Sequence, residues 1–323
     1  MARITMREAI SQALWEEMER DPKVFIMGEE VGVWGGTYAV TRGFYDHFGA
    51  ERVRDTPISE AVIVGAAIGA SMVGTRPVAE LMTINFAFAA FDHIVNEAAK
   101  LHYMFGGQFT LPLVIRAPGG GGRQLGATHS QTPDAIFAHF PGLTVVAPGT
   151  PEDAKGLLKS AIRSNNPVLF IEHATLYQVR GEVPDGEFTT PIGKSKVQRE
   201  GKDVTIVTYS KMLDLSMKAA DQLAQDGIEA EVIDLRTLRP LDMEPVIESF
   251  KKTNRAVIVE ESWKSYGVGA EVESRIYEQA FDYADAPIQR VAQVEVPLPY
   301  NRALEQMALP QIEDIIAAVK EVV

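Results

Sequence analysis

DTPISEAVIVGAAIGASMVG, residues Asp55 to Gly74, decides how this chain is read. Proline suits the first helical position and Thr56 the cap before it, so the segment predicts a helix with Glu60 in its opening turn. From Ala61 to Thr75 no charged side chain follows. The mixture of small and β-branched residues suits a helix packed closely on several sides, with Glu60 at the edge of a dry interior. A carboxylate there has two uses. It can simply complement the positive end of the helix, worth ~0.3–1 kcal/mol. Alternatively, desolvation raises its pKa and lets it carry a proton at neutral pH, as acid catalysis requires. The pattern by itself leaves both readings open.

Working outward, the neighbours of this helix read as strands. Val24 to Met27 is a short apolar run that turns into Gly28-Glu29-Glu30, and Arg76 to Met82 is the next. In parallel α/β sheets the strand ends are where ligands gather, although two adjacent loop acids such as Glu29 and Glu30 are ordinarily just solvated. Met6 to Arg20 predicts an amphipathic helix with Ala9, Ile10, Ala13, Leu14 and Met18 on its inner side. Val40 to Phe48 and Ile94 to Phe105 read as helices, Leu111 to Ile115 as a buried strand, and Phe88 and Phe91 as core residues. Leu143 to Ala147 is a strand. Thr150 caps a helix that ends near Ser164, and Asn165-Asn166-Pro167 stops it before strand Val168 to Glu172.

The pattern loosens from Gly181 to Lys202, with Pro184-Asp185-Gly186 and Thr189-Thr190-Pro191, and this is the best domain boundary. The expected division is a first domain over 1–185, a linker over 186–202 and a second domain over 203–323. Beyond the linker a clean alternation begins. Strands are expected at 204–209, 230–235, 256–260 and 289–294, and helices at 213–225, 244–252, 269–281 and 312–322. Such alternation argues for an α/β fold, each domain a mainly parallel sheet with helices on both faces.

Composition narrows the function. With 31 basic and 44 acidic side chains the net charge is −13, which argues against a general nucleic-acid binder. Disulfide and thiolate chemistry are excluded because there is no cysteine. No run of ~20 residues lacks a charge, so a membrane-spanning helix is not expected. The N-terminus lacks an apolar signal core, which reads as a cytoplasmic protein or an already processed one. Gly119 to Gly122 invites a phosphate-loop reading, but neither the Gly-Lys-Ser/Thr ending nor the dinucleotide glycine spacing is present. The run is therefore expected to be a mobile or closely approached loop leading to His129.

Three motifs occur in order along the chain: Thr56-Pro57-Ile58-Ser59-Glu60, Met82-Thr83-Ile84-Asn85-Phe86 and His129-Ser130-Gln131. Together they resemble the beta subunits of the thiamine-diphosphate-dependent 2-oxo acid dehydrogenases, from about Met6 to the C-terminus. Bacterial and plastid pyruvate dehydrogenase beta subunits are most similar, branched-chain and acetoin dehydrogenase beta subunits somewhat less so. The resemblance implies a transketolase-like pyrimidine-binding domain followed by a transketolase C-terminal-like domain. It implies that Glu60 hydrogen-bonds the cofactor's aminopyrimidine, that Glu29 lies close to both, and that Ile58, Met82 and Phe86 line the ring. His129 is singled out over His102, His139 and His173 because it follows the glycine run. By resemblance it projects into the active-site channel, where it handles protons or polar groups of the bound substrate or of an incoming lipoyl group.

The resemblance also implies a potassium ion held mostly by backbone carbonyls of Leu113, Ala161, Ile162, Ser164 and Asn166. Ser164 stands where an acidic residue is common, a change a main-chain ligand tolerates. Diphosphate binding in the superfamily uses magnesium on a Gly-Asp-Gly motif, and that motif is absent here. The chain is thus expected to supply the pyrimidine side of a shared site, an alpha subunit supplying diphosphate and magnesium. Partners implied are that alpha subunit, in a two-alpha, two-beta tetramer, and a lipoyl-bearing acyltransferase core, with no nucleic acid and no membrane. The reaction implied is decarboxylation of pyruvate with reductive acylation of a lipoyl group. A transketolase-type transferase and a docking subunit without chemistry are the remoter alternatives. Location is expected to be cytoplasmic, or the plastid stroma after processing.

Overall fold

A computed structural model of the chain describes residues Met1–Val323. The chain falls into two compact units, Met1–Gly119 with Ile136–Ile192, and Gly120–Ala135 with Gly193–Val323. The segment 120–135, inside the span expected for the first domain, thus groups with the second.

In the first unit the strands are β1 (Ala2–Thr5), β2 (Val24–Gly28), β3 (Val53–Asp55), β4 (Arg76–Glu80), β5 (Val114–Gly119), β6 (Thr144–Val146), β7 (Val168–His173) and β8 (Arg180–Val183). Six of them form a parallel array in the order β6-β7-β5-β4-β2-β3, and β1 pairs antiparallel with β8. Every residue of β2, β5 and β7 is buried, as continuous apolar strands covered on both faces require.

The Met6–Arg20 helix has the expected bounds, and Ala9, Ile10, Ala13, Leu14 and Met18 are all buried. Its start is set by a reciprocal cap in which Thr5 Oγ1 accepts from Glu8 N at 3.2 Å and Glu8 Oε2 accepts from Thr5 N at 2.7 Å. It packs on the Pro151–Arg163 helix, itself capped by Thr150, through ion pairs from Lys155 and Lys159 to Glu16 and from Arg163 to Glu17.

Several expectations are corrected. The helix built on the opening stretch spans Glu60–Met72 with Ser59 at its N-cap. Thr56 does not cap it, since the helix begins four residues further on; Thr56 N donates to Gly28 O at 3.0 Å and ties the segment to the end of β2. Nor is this helix packed on several sides within the chain. Ile63, Val64, Ala67, Ile68 and Ser71 are buried, whereas Val62 is 63% and Val73 82% exposed.

The strand expected at Leu111–Ile115 begins at Val114 and runs on to Gly119, since Pro112 has no N–H to offer a ladder. The helix expected over Val40–Phe48 is only Phe44–Phe48, preceded by Gly43 in the left-handed region. Ile94–Phe105 divides into a π-helical His93–Ala98 and a short Leu101–Met104 helix. Phe88, expected in the core, is 38% exposed; it stacks on Phe137 at 6.3 Å, and the half-buried Phe91 joins the same cluster.

The second unit carries β9 (Lys196–Arg199), β10 (Val204–Thr208), β11 (Ala230–Asp234), β12 (Thr237–Arg239), β13 (Ala256–Trp263) and β14 (Gln289–Gln293). Five form one sheet in the order β14-β13-β10-β11-β9, parallel except where β9 meets β11. β9 lies inside the stretch expected to be linker. Its Pro- and Gly-rich surroundings mark turns, while Lys196–Arg199 alternates enough to serve as a half-buried edge strand. Helices at Lys211–Gln225, Glu244–Thr253, Val268–Ala280 and Ile312–Val322 match the expected alternation, and a further helix, Arg302–Ala308, had no clear sequence signal. No helix is long and apolar enough to cross a membrane.

Candidate functional site

In the first unit Glu29 and Glu60 come together where β2 ends. Gly28 is required there, because a Cβ would lie 2.5 Å from Glu80 O on the neighbouring β4. This close approach delivers Glu29 into a buried position just past the strand. Gly32 N donates to Asp55 Oδ1 at 2.6 Å, which holds the loop after Glu29 against the segment leading to Glu60.

The two carboxyl groups meet. Burial pushes the Glu29 carboxyl up from the usual range, and Glu60 adds to the rise by its charge and through a side-chain hydrogen bond. Glu29 Oε1 is buried without a hydrogen-bond partner. Glu60 was expected at the edge of a dry interior; in the single chain it opens its helix half-buried, while Glu29 beside it is buried.

The other expected lining residues differ in exposure. Met82 and Phe86 are half-buried around the start of a 3₁₀ turn, Ile84–Ala90, which Phe86 N closes on Thr83 O at 3.0 Å. Ile58 is 82% exposed in the single chain. Of the carbonyls expected around potassium, four already accept hydrogen bonds: Arg76 Nη1 donates to Ile162 O and Ser164 O, both at 2.9 Å, Ser164 N donates to Ala161 O, and Val168 N donates to Leu113 O. Each such oxygen keeps a second lone pair.

One cluster escaped the sequence reading. Arg116, fully buried on β5, donates to Glu172 on β7, with one of its bonds 2.9 Å long, and to Glu80 on β4. Tyr177 Oη takes a further bond from Arg116 at 3.1 Å and itself donates to Glu172. The available signal was an arginine inside an apolar strand run, a position that demands buried partners.

His129 belongs to the second unit, in the segment 120–135. It is exposed and shares a 2.8 Å hydrogen bond with Thr128 Oγ1 through Nδ1. Asp134, near the end of the same segment, is buried, and burial pushes its carboxyl up to about 7, reinforced by Glu261 and Glu260 and opposed by Tyr209. A carboxyl whose folded pKa exceeds its unfolded value binds more protons folded than unfolded between about pH 4 and 7, so its share of stability falls as pH rises through that window. Asp134→Asn should therefore melt close to wild type near pH 4 and increasingly above it as pH rises to 7, the difference there being on the order of a few kcal/mol. Melting curves across pH 4–8 check this; a difference that does not grow with pH would contradict it.

Residues 2–180 match the family model "Transketolase, pyrimidine binding domain", and residues 193–315 match "Transketolase, C-terminal domain". A Rickettsia felis protein named pyruvate dehydrogenase E1 component subunit beta is 53% identical over 319 residues, covering 99% of this chain and 98% of that protein. The mitochondrial pyruvate dehydrogenase E1 component subunit beta-2 of Oryza sativa subsp. japonica is 51% identical over 98% of this chain and 85% of its own length. Among solved structures, an inactive beta4 tetramer of a split-gene transketolase superposes with a TM-score of 0.80 at 27% identity, covering 99% of this chain and 98% of that one.

Proposed function

This chain belongs to the family of pyruvate dehydrogenase E1 component beta subunits, and on that premise we propose that it supplies the pyrimidine side of a thiamine-diphosphate site in a two-chain enzyme that decarboxylates pyruvate. The observation that carries the reading is the meeting of Glu29 and Glu60 just past β2, with Glu29 Oε1 buried and without a hydrogen-bond partner. That pair fits an aminopyrimidine, a ring that both donates and accepts hydrogen bonds.

When bound, thiamine diphosphate supplies the electron sink that lets a 2-oxo acid lose carbon dioxide. Glu60 would hold and return a proton at the pyrimidine ring nitrogen, beside Glu29, whose carboxyl is pushed above the usual range by burial and by Glu60. Phe86, Met82 and Ile58 offer apolar surface to the ring and exclude water. His129 handles protons when the acyl group passes to a lipoyl group on an acyltransferase core. The alpha subunit is proposed to bring magnesium and the diphosphate grip, since this chain lacks the Gly-Asp-Gly motif. The carbonyls of Leu113, Ala161, Ile162, Ser164 and Asn166 are an all-oxygen set of the kind that suits potassium. With bacterial relatives such as the Rickettsia felis protein in view, we place this work in the cytoplasm.

Reconstitution with the alpha subunit tests the reading. Pyruvate is expected to turn over faster than 3-methyl-2-oxobutanoate or acetoin, and potassium is expected to raise the melting temperature above that in tetramethylammonium. Faster turnover of either competitor would reassign the substrate. Tight, magnesium-dependent binding of thiamine diphosphate to this chain alone would overturn the shared site.

A further inference from the structure

The four-glycine run has a use that phosphate binding does not explain. Gly120, Gly122, Gln124 and Gly126 alternate through the left-handed region, with φ of +86°, +89°, +55° and +80°. Such alternation turns successive N–H groups toward one side and makes a concave anion cradle. Its anion comes from the same chain. Gly122 N donates to Glu305 Oε1 at 3.0 Å, Gln124 N donates to both carboxylate oxygens at 3.1 Å, and Gln124 Nε2 donates to Oε2 at 3.2 Å. Glu305 is fully buried. A phosphate is excluded because a carboxylate already fills the cradle.

A second acid closes the loop. Glu261 Oε1 accepts from Gly121 N at 2.8 Å and from Thr132 Oγ1 at 2.9 Å, joining the two ends of the stretch that contains His129. Glu261 is 5% exposed. A Cβ at Gly121 would lie 2.9 Å from the side-chain tips of Leu298 and Leu309, which would have to shift to admit it. The loop is therefore held at three points, while Arg123, Leu125 and His129 stay exposed at its surface. Gln124, a non-glycine residue in a strained conformation, is held there by bonds to Glu305 alone among the acids.

We propose that Glu261 and Glu305 are positioning residues for acyl transfer: their carboxylates fix the backbone of 120–132 so that His129 is presented in one geometry. The inference rests on the reading that His129 acts in that step. Neither acid touches substrate. Their work is to remove the freedom of a glycine-rich segment, which would otherwise spread His129 over many orientations. Small misplacements of a proton-handling group are costly, so freeing the loop should slow transfer by roughly 10- to 100-fold.

The test uses the assembled enzyme with Glu305→Ala, Glu305→Gln, Glu261→Gln and His129→Ala. Three readouts are taken: tryptic cleavage after Arg123, decarboxylation of pyruvate with an artificial electron acceptor, and single-turnover acylation of a lipoyl domain. Expected are faster cleavage after Arg123 in Glu305→Ala and Glu261→Gln, slower lipoyl acylation with an unchanged KM for pyruvate, and decarboxylation close to wild type. Glu305→Gln, which keeps one acceptor oxygen, should fall between Glu305→Ala and wild type in both cleavage and acylation. Acylation at the wild-type rate in Glu305→Ala, with His129→Ala slow, overturns the positioning role and leaves the reading of His129 standing. Wild-type acylation in His129→Ala overturns that reading itself, and the proposal with it. Unchanged cleavage after Arg123 in both acid variants overturns the claim that they hold the loop.

Discussion

Glu60→Gln is expected to abolish most decarboxylation, by roughly 10²- to 10⁴-fold, the range set by removing one positioned proton-transfer group. On the barrier this is ~3–5 kcal/mol. Glutamine keeps the shape and one acceptor oxygen but cannot hold and return a proton. The fold should not notice. Glu60 is half-buried at the first position of its helix, and the replacement removes a like charge facing Glu29. A melting temperature at or slightly above wild type, with assembly intact, is therefore expected alongside the lost turnover. Steady-state decarboxylation by the reconstituted enzyme and a thermal melt of the same sample check both halves. Turnover within about threefold of wild type would remove Glu60 from proton handling, since even weak general catalysis exceeds that. Loss of turnover accompanied by a collapsed melting temperature would assign it a structural role instead.

Much of this site was legible because its signals are local. Glycine ahead of Glu29 and the uncharged run behind Glu60 each describe what the backbone does within a few residues. The Met6–Arg20 helix was legible to the residue for the same reason, its inner stripe lying within one short segment. Long-range bonds left no such trace. Thr56 looked like a helix cap, but its N–H ties it to Gly28 O at the end of β2 and the helix begins four residues later. The glycine run looked like a loop without an owner, because the carboxylate that fills it, Glu305, lies 181 residues beyond Gln124. Apolar helix faces misled in the opposite direction. The residues of the Glu60–Met72 helix are apolar all round, yet Val62 and Val73 face solvent in the single chain, and periodicity cannot say whether a neighbouring helix or a partner covers such a face.

Arg116 is the strongest case of a residue whose importance the sequence concealed, and Arg116→Met should be the most damaging single change to stability. Its partners lie 36 and 56 residues away and come together only when β4, β5 and β7 align. Arg116, Glu172 and Glu80 are 0%, 1% and 5% exposed, so the two acids depend on the guanidinium for nearly all their compensation. Even with it in place, burial holds the Glu80 carboxyl above its usual range, Arg116 pulling it down and Glu172 pushing it up. Methionine fills a similar volume and removes the cation. Two buried carboxyls would then face each other, at a cost of ~3–5 kcal/mol for breaking a buried ionic group by removing one partner. For a unit of this size that corresponds to a fall in melting temperature of roughly 6–20 °C. The same physics predicts a rescue. Adding Glu80→Gln and Glu172→Gln to Arg116→Met removes the stranded charges and should recover at least half of the loss, because a neutral, packed core often equals a buried ion cluster. Thermal denaturation of the single and triple variants decides the matter: a single variant that melts within about 2 °C of wild type, or a triple variant no better than the single, would show that charge compensation is not what holds these three strand ends together.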